Sequence, residues 1–394
     1  MGAVVLGLAT LGHTGQSLAA APEWPQAHSD LPADPAVRFG VLPNGMRYAI
    51  MRNRTPKDQV SMRFRLGVGS LDERDEEQGL AHFLEHMAFR GSAHVPEAEV
   101  WKGFQRRGMA IGADSSAYTQ ETQTFYQFDL PKGDAESIAF GLTRMRETAS
   151  ELTLAPEALE TERGPVQSEE RLRDTPDLRA LRAQRDFLFQ GLLLPNRAPI
   201  GKTEIIQHVQ IDAVRNFYKT FYRPENATLI VVGDIDPDAV EVQIKARFSD
   251  WRAMAPARAA PDLGVPTPRG LDAKLVVDPN VARSILVGWI APFDGARDTA
   301  PRARRDMIHA IGLGILNRRL RTMANGPNPP FTNASLARRD QARSATVTLM
   351  SVDDAPSRWR AALRAAEIAR RQAVTYGVTQ AEVDREVGLM RARM

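Results

Sequence analysis

Apolar positions recur every second residue in some stretches of this chain and every third or fourth in others, and the change of period locates its elements. Residues 38–42 and 46–51 alternate around Pro43-Asn44-Gly45, and Asn-Gly between two such runs predicts a β-hairpin. Val60, Met62, Phe64 and Leu66 alternate with polar residues and predict a third strand over 60–68. Helical spacing follows over 77–89 and 97–107. Two strands are expected at 113–119 and 122–130, then helices at 134–150, 156–173, 177–189 and 211–221. The apolar run 227–233 reads as a fully buried strand.

Composition changes at 253–268, where Pro256, Pro261, Pro266 and Pro268 follow one another among alanines, and this reads as a linker. Beyond it the order partly restarts. Strands are expected at 274–277, 284–289 and 345–352, with helices at 301–323, 356–375 and from Thr379 onward. Mixed strand and helix runs indicate an α+β fold of two similar domains, each a mainly antiparallel sheet packed against helices. The expected divisions are a leader at 1–21, a lead-in at 22–35, a first domain at 36–252, the linker at 253–269 and a second domain at 270–394. The last helical pattern reaches Met394 without a Gly, Asn or Pro stop signal, so the second domain is expected to be incomplete at its C-terminal end.

The 394 residues carry 51 Lys and Arg against 48 Asp and Glu. The near balance argues against a nucleic-acid partner, and the arginines at 302, 304, 305, 318, 319 and 321 fall at helical spacing, as on a solvated helix face. With no cysteine in the chain, thiolate catalysis, disulfides and Cys-type zinc sites are excluded, and any metal must sit on His, Asp or Glu. The short apolar run 3–11, followed by small residues at 17–21, looks like a secretory signal, placing the protein in the periplasm or outside the cell. No later run approaches the ~20 apolar residues of a membrane span.

Chemistry concentrates in Leu80-Ala81-His82-Phe83-Leu84-Glu85-His86-Met87. On a helix, Leu80, Phe83, Leu84 and Met87 form one apolar stripe, and His82, Glu85 and His86 share the opposite side. His82 and His86, one turn apart, can converge on one Zn²⁺ at ~2.0–2.1 Å per bond. Glu85 is then placed to take a proton from a metal-bound water. Two histidines on an amphipathic surface helix are the plain alternative. A catalytic zinc has three protein ligands, so a third is needed. Glu162 and Glu169 lie seven apart and share a helix face, but their neighbours Arg163, Arg171 and Arg173 equally suit a salt-bridged surface helix. Spacing alone leaves both readings open.

His82-x-x-Glu85-His86 together with Glu162-Arg163-Gly164-Pro165-Val166-Gln167-Ser168-Glu169 resembles the pitrilysin/insulysin family of zinc metallopeptidases. Matching stretches include Gly112-Ala113-Asp114-Ser115-Ser116-Ala117-Tyr118-Thr119, Arg197-Ala198-Pro199-Ile200-Gly201, and Phe221-Tyr222-Arg223-Pro224 leading to Val232-Gly233-Asp234. The resemblance implies that Glu169 is the third zinc ligand, that Glu162 is a further acidic residue beside the site, and that one Zn²⁺ is bound per chain. It also implies that Ser115, Ser116, Ala117 and Tyr118 belong to an edge strand to which an extended peptide adds. Two departures stand out: Ser116 replaces the family's usual Asn, and Pro165 interrupts the glutamate-bearing helix. The family assembles four such domains, so a C-terminal half or partner subunit of the same fold is expected to complete the enzyme.

The function expected from all this is zinc-dependent endoproteolysis of extended or unfolded peptides. A non-catalytic zinc-binding scaffold subunit and a zinc hydrolase of non-peptide bonds are the rivals.

Overall fold

The computed structural model describes residues 23–110, 112–354 and 357–393, so the expected leader at 1–21 lies outside the described residues. The chain enters with the predicted hairpin, β1 (Val37–Val41) and β2 (Arg47–Arg52), turned at Gly45 with φ 93°. β3 (Val60–Leu66) follows, then α1 (Leu80–Met87) and α2 (Glu97–Arg106). The hairpin β4 (Ser115–Thr119) and β5 (Thr124–Leu130) comes next. Five helices succeed it: α3 (Ala135–Ser150), α4 (Pro156–Arg173), α5 (Pro176–Leu188), α6 (Thr203–His208) and α7 (Ile211–Phe221). β6 (Ala227–Gly233) and α8 (Pro237–Phe248) close the first unit.

The six strands form one sheet in the order β1-β2-β6-β3-β5-β4, antiparallel throughout except for the parallel pair β2–β6. Late in sequence, β6 inserts between β2 and β3 and so ties the chain's two ends of this unit together. Its alternate residues Leu229 and Val231 are buried while Ile230 and Val232 are only half-covered, so the run predicted to be buried on both faces has one core face. β3 and β5 send Met62, Phe64, Tyr126 and Phe128 to the same side, where the stripe Leu80, Phe83, Leu84 and Met87 of α1 packs on them. α1 also touches α4, α7 and β4. The catalytic-looking helix is therefore a core element.

The segment 253–284 carries no helix and almost no pairing, but it is pinned. Arg258 pairs with Glu77 and lies over the Phe221 ring, and Gly264 bridges to Leu192. Past it come β7 (Ile285–Pro292), α9 (Ala300–Ala324), β8 (Asn333–Gln341), β9 (Ala345–Asp353), α10 (Trp359–Tyr376) and α11 (Gln380–Arg391). The sheet order β7-β9-β8, all antiparallel, repeats β3-β5-β4 of the first unit. One face packs on α9 and α10. The other meets Leu71, Leu188, Phe189, Leu192 and Leu194 of the first unit.

Two expectations are corrected here. Residues 274–277 form no strand, and Leu275 and Val277 are 85% and 81% exposed: no described strand lies beside them, and an unpaired ladder has no hydrogen bonds to hold it. The arginine cluster is a solvated face only in part: Arg304, Arg305 and Arg321 are exposed, but the other three are engaged. Arg318 and Arg319 bind Glu386 and Glu382 of α11, and Arg302 packs among Asp294, Asp298 and Asp306.

In this chain, Leu275→Ser should change unfolding free energy by no more than about 0.5 kcal/mol, whereas Leu229→Ala should cost about 2–5 kcal/mol. Urea denaturation of both variants measures this, and equal losses would contradict the placement of 274–277.

Candidate metal centre

α1 is only eight residues long, and its start is set by glycine and a buried acid rather than by a side-chain cap. Gly79 precedes it at φ 102°, and the backbone N–H groups of Gly79 and Ala81 both donate to the Glu73 carboxylate, at 2.9 and 2.8 Å. These are among the donors that the first helical turn leaves without intrahelical partners, and a carboxylate there also complements the helix dipole. Burial pushes the Glu73 carboxyl up to about 8, against the pull of those two bonds. The loop after Arg197 locks the arrangement. Arg197 donates to the Glu73 carbonyl, its own carbonyl accepts from Ser70, and Gly201 packs on Gly79 so closely that a Cβ would fall 2.3 Å from the Gly79 Cα. This accounts for the Arg197–Gly201 stretch noted in the sequence. Glu73 itself was missed, because an acid several residues before a helix has no periodic signal.

The two histidines and Glu169 come together. His82 Nε2 and His86 Nε2 lie 3.5 and 3.3 Å from the same oxygen, Glu169 Oε2. Two ligands each ~2.0–2.1 Å from one tetrahedral ion are themselves roughly 3.3–3.4 Å apart, so the donor set fits a zinc ion. His82 is buried, and its other nitrogen, Nδ1, has no protein partner. His86 directs Nδ1 to Glu162 Oε2 at 3.1 Å. That bond keeps the proton on Nδ1 and leaves Nε2 available to a metal ion.

Glu162 and Glu169 thus grip opposite nitrogens of the same ring from one helix, even though Pro165 lies between them. α4 continues from Pro156 to Arg173. The carbonyl that Pro165 deprives of a partner belongs to Thr161, on the exposed side, where water can satisfy it, while Leu159, Glu162 and Val166 face inward.

Glu85 is buried beside the cluster, and its Oε2 accepts a hydrogen bond from Thr119 Oγ1 at 2.7 Å. Burial raises its pKa, with His82 and Thr119 pulling the other way. The carboxyl of Glu169 is held well below the usual range by hydrogen bonds from His82 and His86. Burial disfavours the His86 imidazolium, but hydrogen bonds to Glu162 and Glu169 outweigh it and lift the pKa to about 9. The bond from Thr119 to Glu85 escaped the sequence reading because it depends on a contact between strand and helix.

β4 is an edge strand, as expected. Ser115 is buried and its backbone N–H and carbonyl are taken by Ala110 and Gly112. Asp129 N–H bonds to the Asp114 carbonyl across the hairpin, so by alternation Ala117 and Thr119 turn their backbone groups to the open edge. Tyr118 stacks on Phe125 at 5.0 Å on the far face, and Ser116 lies half-covered on that face.

Residues 48–184 match insulinase (peptidase family M16), and residues 208–389 match the peptidase M16 inactive domain. The chain belongs to peptidase family M16. It is 35% identical over 242 residues to the probable zinc protease PqqL of Escherichia coli, covering 61% of this chain and 25% of that protein. It is 30% identical over 422 residues to the chloroplastic stromal processing peptidase of Pisum sativum, covering 91% of this chain and 32% of that one. The crystal structure of the first half of the periplasmic protease PqqL from E. coli superposes with TM-score 0.81 at 27% identity, over 92% of this chain and 77% of that one. Against the whole PqqL structure the TM-score is 0.79, at 27% identity, over 90% of this chain and 39% of that one. The chain therefore spans about a quarter to a third of the length of these two curated relatives. His82, Glu85, His86, Thr119, Glu162 and Glu169 all lie within residues 48–184, the first of these two matches.

In the metal-free protein the His86 pKa of about 9 stands above its ordinary value of 6.5, so its stabilising effect is complete below 6.5 and disappears as pH rises through about 9. The difference in melting temperature between the metal-free wild type and His86→Gln should accordingly shrink from pH 6 to pH 9.5. A difference that stays constant over that range would contradict the His86–carboxylate contacts.

Proposed function

We propose that this chain is the metal-bearing half of a zinc-dependent endopeptidase that cleaves extended peptides. The observation that carries the reading is the convergence of two imidazole nitrogens on Glu169 Oε2 at 3.5 and 3.3 Å, with the Glu85 carboxylate alongside but held by Thr119. His82, His86 and Glu169 would hold the ion. Bound there, zinc would bring the pKa of a coordinated water towards ~7 and polarise the scissile carbonyl.

The chain's own residues do the rest. Glu85, raised in pKa by burial, takes the water's proton and passes it to the leaving amine. Thr119 fixes which carboxylate oxygen is free for this. Glu162 holds the His86 ring in the tautomer that presents Nε2. Ala117 and Thr119 offer backbone groups to which an extended substrate adds as another strand, a mode that selects unfolded segments. Ser116 and Tyr118 would flank that substrate on the far face. A small ester has no backbone to pair with such an edge, which disfavours a non-peptide substrate.

Two further readings belong to this proposal. A second half of the same fold would complete the enzyme, supported by the chain's length relative to family members and by the edge of β7, which has no neighbour among the described residues. Export to the periplasm is supported by the apolar run at 3–11 and by the description of E. coli PqqL as a periplasmic protease. No described helix is long and apolar enough to cross a membrane.

Glu85→Gln should keep about one zinc per chain while peptide hydrolysis falls about a hundred- to ten-thousand-fold. Metal analysis and a quenched-fluorescence peptide assay on the wild type and variant, with any second half added, check this. Zinc binding without hydrolysis in the wild-type assembly would instead favour a scaffold subunit, and undiminished hydrolysis by the variant would remove Glu85 from the mechanism.

A further inference from the structure

We infer that Arg90 is a positioning residue for the metal centre, acting through Glu162; the inference rests on the zinc reading above. Arg90 lies just beyond α1, its N–H bonded to the Met87 carbonyl at 3.0 Å, and four residues from His86. Its guanidinium donates through Nε to Glu162 Oε1 and through Nη1 to Glu97 Oε1 at the start of α2. The other oxygen of Glu162 is the one on His86 Nδ1. Each Glu162 oxygen is thus committed to a different cationic or N–H donor, and the carboxylate cannot rotate without losing one of them.

The environment gives this contact weight. The Glu162 side chain is only 7% exposed and that of Arg90 22%, so this is no solvated surface pair. A buried carboxylate deprived of its cation is free to rotate towards water, and it then becomes a poorer acceptor for His86 Nδ1–H. The ring then loses the bond that fixes its tautomer and direction. Arginine suits the task because its planar fork offers two N–H directions at once, here to carboxylates on α4 and α2, whereas a lysine ammonium is a single point charge. Through Glu97, the same side chain sets the distance between α2 and the end of the metal helix.

The test is zinc affinity of the whole chain, measured by competition with a chromophoric chelator, for the wild type, Arg90→Ala, Arg90→Lys, Glu162→Gln and the double variant Arg90→Ala/Glu162→Gln. Arg90→Ala should retain one zinc per chain but bind it about 10- to 100-fold more weakly, the size of effect expected when the support of a ligand histidine is removed. Arg90→Lys should fall between, and the double variant should bind no more weakly than the weaker single variant, because both changes break one chain of contacts. Wild-type affinity in Arg90→Ala, or losses that multiply in the double variant, would overturn the inference. If Arg90→Ala fails to fold, Arg90→Lys decides: a loss of about fivefold or more supports the role, and unchanged affinity overturns it. A wild-type chain that binds no stoichiometric zinc would instead sink the metal reading itself.

Discussion

Three carboxylates and two imidazoles crowded against a hydrophobic core form an arrangement that water would normally pull apart, and the rest of the first unit is organised to prevent it. Glu85 and Glu169 approach both rings, and Glu162 approaches that of His86. Burial penalises each charge, and proximity penalises their sum. In the metal-free state the compensation comes from a proton on His86, from Arg90 on Glu162 and from Arg173 on Glu169. The proposed zinc ion supplies two positive charges at the point where the carboxylate and both Nε2 atoms meet. This division of labour explains why Glu169, the most exposed of the three acids, is the proposed ligand, while the more buried Glu162 is tied to fixed partners.

Holding α1 and α4 at ligand distance is therefore the central mechanical task. α1 alone is too short to persist by its own hydrogen bonds. Its apolar stripe supplies the anchoring, and Glu73 and the Gly79–Gly201 contact fix where it begins. On the other side, Arg163 of α4 reaches the carbonyls of Ile206 in α6 and of Val209 just past its end, fastening α4 to that helix. The two helices that carry His82, His86 and Glu169 are thus clamped from both flanks by neighbouring segments.

The helical spacing of His82, Glu85 and His86 made the α1 side of the site legible in the sequence, because periodicity is a local property. The contribution of α4 was only half legible: spacing placed Glu162 and Glu169 on one face but left surface and site equally open, and family resemblance supplied the choice. Glu73 and Arg90 had no local signature, and the stretches holding Thr119 and Arg197 were marked by resemblance without their contacts being legible, since each acts across elements far apart in sequence. Among the elements, α4 and β6 fell where the pattern put them. α8 was missed because Val240, Ile244 and Phe248 face the core while Val242 faces solvent and blurs the stripe. β8 was missed because only Ala334 and Leu336 are buried in a strand that also holds Arg338, Arg339 and Asp340.

The two sheets also show why the same pattern gave a strand in one place and none in another. β2 is held by β1 on one side and β6 on the other, and β6 in turn pairs with β3. In the second sheet β7 takes the place of β3, but the position corresponding to β6 has no described occupant, and 274–277 then has nothing to pair with. Apolar residues such as Leu275, Val276 and Val277 favour a pleated surface only when a neighbouring strand and a core are present to receive them. Alternation in sequence thus marks the capacity to be a strand, and a partner in space decides whether that capacity is used. The first unit has the partner, and its six-stranded sheet carries at its far edge β4, whose Thr119 reaches Glu85.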